Sequence, residues 1–167
     1  MQKIVPNLWF DNNAEDAVRF YLSVFRNSRI KKVARYGVSG AKASGMPEGS
    51  VMTIDFQLEG QDFVAINGGP VFQFSHAISL MVNCENQKEI DTLWEKLSAD
   101  GGAIEECGWL RDKYGLSWQI VPAQMATMIS DAEPERTERM LSALFKMKKI
   151  DIRELERAYN NNRDAQI

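Results

Sequence analysis

The feature that most constrains this 167-residue chain is a change of hydrophobic period that occurs twice in the same order. "KIVPNLWF" (3–10) reads as a strand, with Pro6 marking an edge or irregular position. "NNAEDAVRFYLSVF" (12–25) then spaces Ala14, Ala17, Val18, Tyr21, Leu22 and Phe25 along one helical face. Asn12 or Asn13 can cap that helix, and Glu15 and Asp16 suit its positive end. A strand over 29–36 and a small, glycine-rich loop over 37–50 follow. "VMTIDFQL" (51–58) alternates cleanly and turns at Glu59–Gly60 into a strand over 61–68.

The second pass starts with the strand "AISLMVNC" (77–84). A helix over 86–102 gathers Ile90, Leu93, Trp94 and Leu97 on one face and stops at Gly101–Gly102. Short strands fit 103–108, 109–113 and 116–121. The predicted order is therefore βαβββ, twice, an α+β chain with hairpin-linked strands. After Pro122 the pattern turns helical. Residues 134–147 carry Met140, Leu141, Leu144 and Phe145 as an apolar patch, and 151–159 carry Ile152, Leu155 and Tyr159 behind Asp151 as N-cap. Helices this short must pack on a sheet or another subunit. "NNNRDAQI" closes the chain as a polar tail. The expected segments are 1–68, 69–122 and 123–167, within one structural domain.

Composition removes several classes of function. A net charge of −3 supplies no basic footprint for nucleic acid. No apolar run approaches a membrane span, and the N-terminus lacks a secretory signal's apolar centre. Cys84 and Cys107 form no CxxC pair and there is one histidine, so a zinc site lacks ligands and reduced, cytoplasmic thiols are expected. Neither cysteine has a base paired to it by any motif, which favours structural roles for both. Gly68–Gly69 before Pro70 is a turn, and no GxGxxG or GxxxxGK[ST] phosphate loop occurs.

The densest stretch is "CGWLRDKYGLSWQIVP" (107–122). Alternation in "LSWQIV" sets Ser117, Gln119 and Val121 against a core face of Leu116, Trp118 and Ile120. Gln119 is either a cleft contact or a structural amide. Trp9 and Trp109 offer flat walls for a ligand, or packing area for a core. His76 is a base, a lone ligand, or a strand-edge residue. Glu105, Glu106, Arg111, Asp112 and Lys113 read as solvated strand-end charges.

The order of elements, with "PNLWFDNNAEDAVRFYLSVF", "INGGPVFQF", "QKEIDTLWEKLSADGG" and "CGWLRDKYGLSWQIVP", resembles the PhnB-like branch of the vicinal oxygen chelate superfamily. The basic helical end "KMKKIDIRELERAY" is similar to this branch as well. That superfamily includes glyoxalase I, extradiol dioxygenases and bleomycin-resistance proteins. The resemblance implies two βαβββ modules curled around a cleft, and commonly a homodimer. It also implies a label often given to the branch, 3-demethylubiquinone-9 3-methyltransferase. Metalloenzymes of the superfamily hold a divalent ion with His and Glu. Carried over, those positions fall at Pro6 or Asn7, near Asn67, among Ser75, His76 and Ala77, and at Gln119. At most His76 is a strong ligand, and neutral amides replace a hydration shell poorly. No catalytic metal and no cofactor are therefore expected.

The leading expectation is a cytoplasmic, homodimeric protein that binds a small, partly apolar molecule through Asn7, Trp9, Asn67, His76, Trp109, Ser117 and Gln119. Its rivals are a metal-dependent lyase, isomerase or dioxygenase, and a dimeric interaction module. Methyl transfer fits poorly, because the class I methyltransferase fold needs a glycine-rich turn between a parallel strand and its helix.

Overall fold

The structure is a computed structural model that describes residues 2–161; of the tail expected over 160–167, Asn160 ends the last helix, Asn161 is its C-cap, and 162–167 lie outside the described residues. The chain divides into two compact units between Phe74 and Ser75. In the first, β1 (Asn7–Phe10), α1 (Ala14–Val24), β2 (Ser28–Arg35), α2 (Val38–Ser44), β3 (Val51–Leu58) and β4 (Gln61–Asn67) follow in order. Their sheet runs β1-β4-β3-β2, with β1 parallel to β4 and the other pairs antiparallel.

Alternation sends Leu8, Phe10, Ile54, Phe56, Leu58, Phe63 and Ala65 into the core, where α1 brings Ala14, Ala17, Val18, Tyr21 and Val24. Each large apolar side chain buried there contributes about 1.5–3 kcal/mol. The first turn of α1 has no cap from Asn13; instead Asn67 Oδ1, at the end of β4, accepts the Ala14 N–H at 2.9 Å. The first strand is shorter than expected, starting at Asn7. Pro6 has no N–H to pair and uses only its carbonyl, which accepts from Val64 at 3.0 Å. The glycine-rich loop expected over 37–50 contains a helix, α2, with Gly40 inside it and glycines at both of its ends. Gly37 precedes the helix, and Gly45 closes it in the left-handed region at φ 77°.

The second unit repeats the plan with β5 (Ser79–Cys84), α3 (Gln87–Ser98), β6 (Ala103–Ile104), β7 (Trp109–Arg111) and β8 (Ser117–Pro122). Its sheet runs β5-β8-β7-β6, again with the first and last strands parallel. This is the expected α+β architecture of paired βαβββ modules. Asn86 caps α3 by accepting the Glu89 N–H, while the Glu89 carboxylate accepts the Glu85 N–H. Ile90, Leu93, Trp94 and Leu97 of α3 are buried with Leu110, Trp118 and Ile120 of the sheet.

Three further helices, α4 (Met125–Ile129), α5 (Pro134–Leu144) and α6 (Ile152–Asn160), follow the second sheet. They close a small core of Met128, Met140, Leu144, Met147, Ile150 and Leu155 around Val121 of β8. The Cys107 and Gly108 N–H groups donate to Met147 and Lys148 carbonyls, fastening this layer to the turn before β7. Gly108 lies at φ +82°, and a Cβ there would come within 2.8 Å of both Ile120 O and Ile150.

Asp112 corrects the sequence reading. Expected to be solvated, it is buried in the turn between β7 and β8. Its Oδ1 accepts from Tyr114 and Leu116 N–H at 2.8 and 3.1 Å, and its Oδ2 accepts from Trp118 Nε1 at 2.8 Å. One carboxylate thus sets the turn and orients the core indole. Removing it in Asp112→Ala leaves buried donors unpaired and should cost roughly 2–4 kcal/mol. Lys113→Ala, next to it on the surface, should change stability by less than about 0.5 kcal/mol. Denaturant midpoints of the two variants check this contrast.

Candidate functional site

The face of the second sheet turned away from α3 is built by register. Met81 and Trp109 are the strand partners of Gln119, and Ser79 and Arg111 are the partners of Ser117, so all six share one side. Val121 lies on the same side but is covered by α4–α6, which limits the available surface to the other end. Gln119 is half-buried, and its Nε2 donates to Ser79 Oγ at 2.7 Å. Met81 is 55% exposed beside it. Ser117 is fully buried and its hydroxyl has no hydrogen-bond partner among the described residues.

At the margin of this face stands an ion cluster. Glu105 Oε1 is 2.7 Å from His76 Nε2 and accepts from Arg111 Nε at 3.0 Å. Burial pushes the Glu105 carboxyl upward, but the hydrogen bonds and charges of His76 and Arg111 outweigh it and hold the group below the usual glutamate range. His76, Trp109, Ser117 and Gln119 thus belong to one surface or its edge. Ser79, Met81, Glu105 and Arg111, which the sequence reading did not include, join them. Reading the alternation across β5 and β7 as well as β8 would have found Ser79, Met81 and Arg111.

The first unit arranges its candidates differently. Asn7 and Trp9 face away from α1, while Asn67 lies on the α1 side and is buried. Expected among the ligand contacts, the Asn67 amide instead serves the fold: besides capping α1 it donates from Nδ2 to Val51 O at 3.0 Å. Tyr36 OH donates to the Asn67 carbonyl at 2.5 Å. Trp9 lies flat on Gly68, where a Cβ would come within 2.1 Å of the indole. Its Nε1 donates to Gly69 O at 2.9 Å, and its ring meets Phe72 edge-on at 5.0 Å. Phe72 and Val71 are exposed, so this end of the first sheet carries an apolar shelf.

A divalent ion of the kind held by metalloenzymes of the resembling superfamily does not fit these donors. No group of three or more His, Cys, Asp or Glu side chains gathers among the described residues. Asn67 Oδ1 is committed to the Ala14 N–H, and Gln119, whose Nε2 is held by Ser79, offers a metal only a neutral amide carbonyl. The sole imidazole shares a carboxylate oxygen with Arg111, whose positive charge stands close to where a cation bound to that oxygen would sit. Neither thiol is primed as a nucleophile. Burial, with a smaller effect of Glu89, pushes Cys84 up to about 12, and burial and Glu106 push Cys107 upward too.

Comparison with known proteins agrees with this architecture. The family model described as 3-demethylubiquinone-9 3-methyltransferase matches residues 2–121, leaving α4–α6 beyond the match. A PhnB protein of Bacillus cereus bearing the same description is 40% identical over 73% of this chain and 100% of its own, with a TM-score of 0.65. A protein of Pseudomonas aeruginosa, 18% identical over 73% of this chain and 98% of its own, shares the fold at a TM-score of 0.58. No curated protein matches the chain.

The Glu105 cluster has a measurable signature. Because its folded pKa is depressed, its stabilisation is present above the unfolded pKa and lost as pH falls through the folded value. The stability gap between the wild type and Glu105→Gln should therefore be full at neutral pH and close as acidification passes below the ordinary glutamate range. Urea titrations at a series of pH values test this. A gap unchanged down to the acid limit would contradict the ion cluster.

Proposed function

Because the chain belongs to the 3-demethylubiquinone-9 3-methyltransferase family and has the paired-module, glyoxalase-type fold of its PhnB-like members, we propose that it binds a small, partly apolar molecule on the far face of its second sheet. The observation that carries this reading is Gln119. Its amide is held by one neighbouring hydroxyl, Ser79 Oγ, between the apolar side chains of Met81 and Trp109. An amide so placed has a carbonyl left to orient a ligand, and Trp109 and Met81 supply area for its apolar part. His76 borders the same surface, while Asn7 and Trp9 offer a comparable face in the first unit.

Methyl transfer is not part of the proposal. The helices that follow the opening strands begin after "DNN" and "EN", without the glycine turn that cradles a nucleotide cofactor. We assign the protein to the cytoplasm. Its free cysteines agree with that, and no helix among the described residues is long and apolar enough to cross a membrane.

A homodimer is the second part of the proposal. Ile4, Val71, Phe72, Ile78, Ile104 and Phe145 are each at least half exposed, apolar side chains that a second copy could cover. Sedimentation equilibrium at micromolar concentration should give twice the 19.0 kDa chain mass. A monomer mass would remove this part.

Two substitutions separate binding from folding. Gln119→Leu should weaken the tightest molecule from a small-molecule screen by about 1–3 kcal/mol, with a smaller effect on the melting curve. Trp118→Ala should cost about 3–5 kcal/mol of stability through a core cavity. If Gln119→Leu unfolds the protein as badly as Trp118→Ala, the glutamine is structural and the binding face lies elsewhere.

A further inference from the structure

Among the described residues, Arg111 is a cation of the second sheet's far face whose hydrogen-bonding groups are only partly committed. Its side chain is 43% exposed, and its Nε donates to Glu105 Oε1. The two terminal nitrogens have no partner among the described residues. Glu105, itself braced by His76, therefore holds the guanidinium from the Nε side and leaves the outer fork unused. Across the ladder, the partner of Arg111 is Ser117, a fully buried hydroxyl with no hydrogen-bond partner among the described residues. Buried polar groups in folded proteins are nearly always paired, so an orphan hydroxyl at the strand position partnering Arg111 marks a place where an acceptor belongs.

A guanidinium fork matches the two coplanar oxygens of a carboxylate, and a hydroxyl adds a third donor to the same group. Next along the sheet, Trp109 and Met81 flank Gln119 and offer apolar area. We propose that the ligand of this face is a small monocarboxylic acid with an apolar body. Its carboxylate sits on the Arg111 terminal nitrogens, with the Ser117 hydroxyl reached as the arginine side chain turns to meet it. Its body lies along Trp109 and Met81, and Gln119 contacts any polar group in between. Glu105 sets the charge limit. Because Arg111 already shares its charge with Glu105, a monoanion is tolerated better than a dianion such as a phosphate ester, which the carboxylate behind the fork repels more strongly.

This inference rests on the binding face proposed above, and the test separates the two. The full chain is titrated with 4-phenylbutyrate and with its neutral counterpart 4-phenyl-1-butanol, following the Trp109 indole N–H by NMR. The acid should bind about tenfold more tightly than the alcohol. Arg111→Lys, which keeps the charge but loses the fork, should remove most of that preference. Ser117→Ala should melt no lower than the wild type, since it deletes an unpaired hydroxyl, yet weaken the acid several-fold and narrow the preference for acid over alcohol. Equal affinities for acid and alcohol, with Trp109 still responding, overturn the carboxylate inference and leave the face standing. No response of Trp109 to either molecule up to about 10 mM, well beyond the weak-binding range, overturns both. Should Arg111→Lys fail to fold, the acid-to-alcohol ratio of the wild type still decides the matter.

Discussion

Each four-stranded sheet of this protein is covered by one helix on one side, and that asymmetry governs what every strand residue can do. Side chains alternate across a pleated sheet, so burying one set under α1 or α3 commits the other set to the opposite face. The apolar periods of α1 and α3 supply the cover, and the parallel pairing of first and last strands closes each unit around it. Residues that cannot stabilise the helix-side core are thereby free to serve chemistry. In the second unit the C-terminal helices cover the Val121 end of that face, which confines the remaining surface to the rows of Gln119 and Ser117.

Polar groups hold this frame at its weakest points, the ends of elements. Asn67 replaces a local cap for α1 from the far end of β4, 53 residues along the chain. Asp112 gathers two backbone N–H groups and the Trp118 indole, joining the turn to the core. Both are buried polar side chains whose hydrogen bonds offset their desolvation. Trp9 is located both by the absence of a side chain at Gly68 and by the hydrogen bond from its indole to Gly69 O. The consequence for function is rigidity: the strands presenting Trp9 and Trp109 are fixed by neighbours that need no ligand.

The sheets, the two main helices and the core were readable in the sequence because they follow from period alone. Trp118, Ile120 and Leu110 fall on the buried side as alternation requires. The helix α2 was not readable, since its glycines look like loop composition until Gly45 is seen to end a helical turn. The candidate site was readable in part. The faces of Gln119 and Ser117 follow from β8, but Arg111 and Glu105 looked like solvated charges. Their pairing depends on the register of short strands and on the approach of His76, which lies 29 residues from Glu105. Asn67 and Asp112 show the same limit: a residue's polarity says that it needs partners, and only the fold says whether those are backbone groups or a ligand.

The central claim is that the far face of the second sheet, around Gln119, is where this protein meets a small molecule. Crystallographic soaking of the full chain with a diverse fragment library tests it most directly, because it leaves every surface open to competition. Fragments should cluster against Trp109, Met81 and Gln119, with polar ends toward Arg111 and Ser117. Fragments clustered instead in the groove of about 380 Å³ lined by Arg139, Lys146 and Arg157, with the Gln119 face empty, would contradict it.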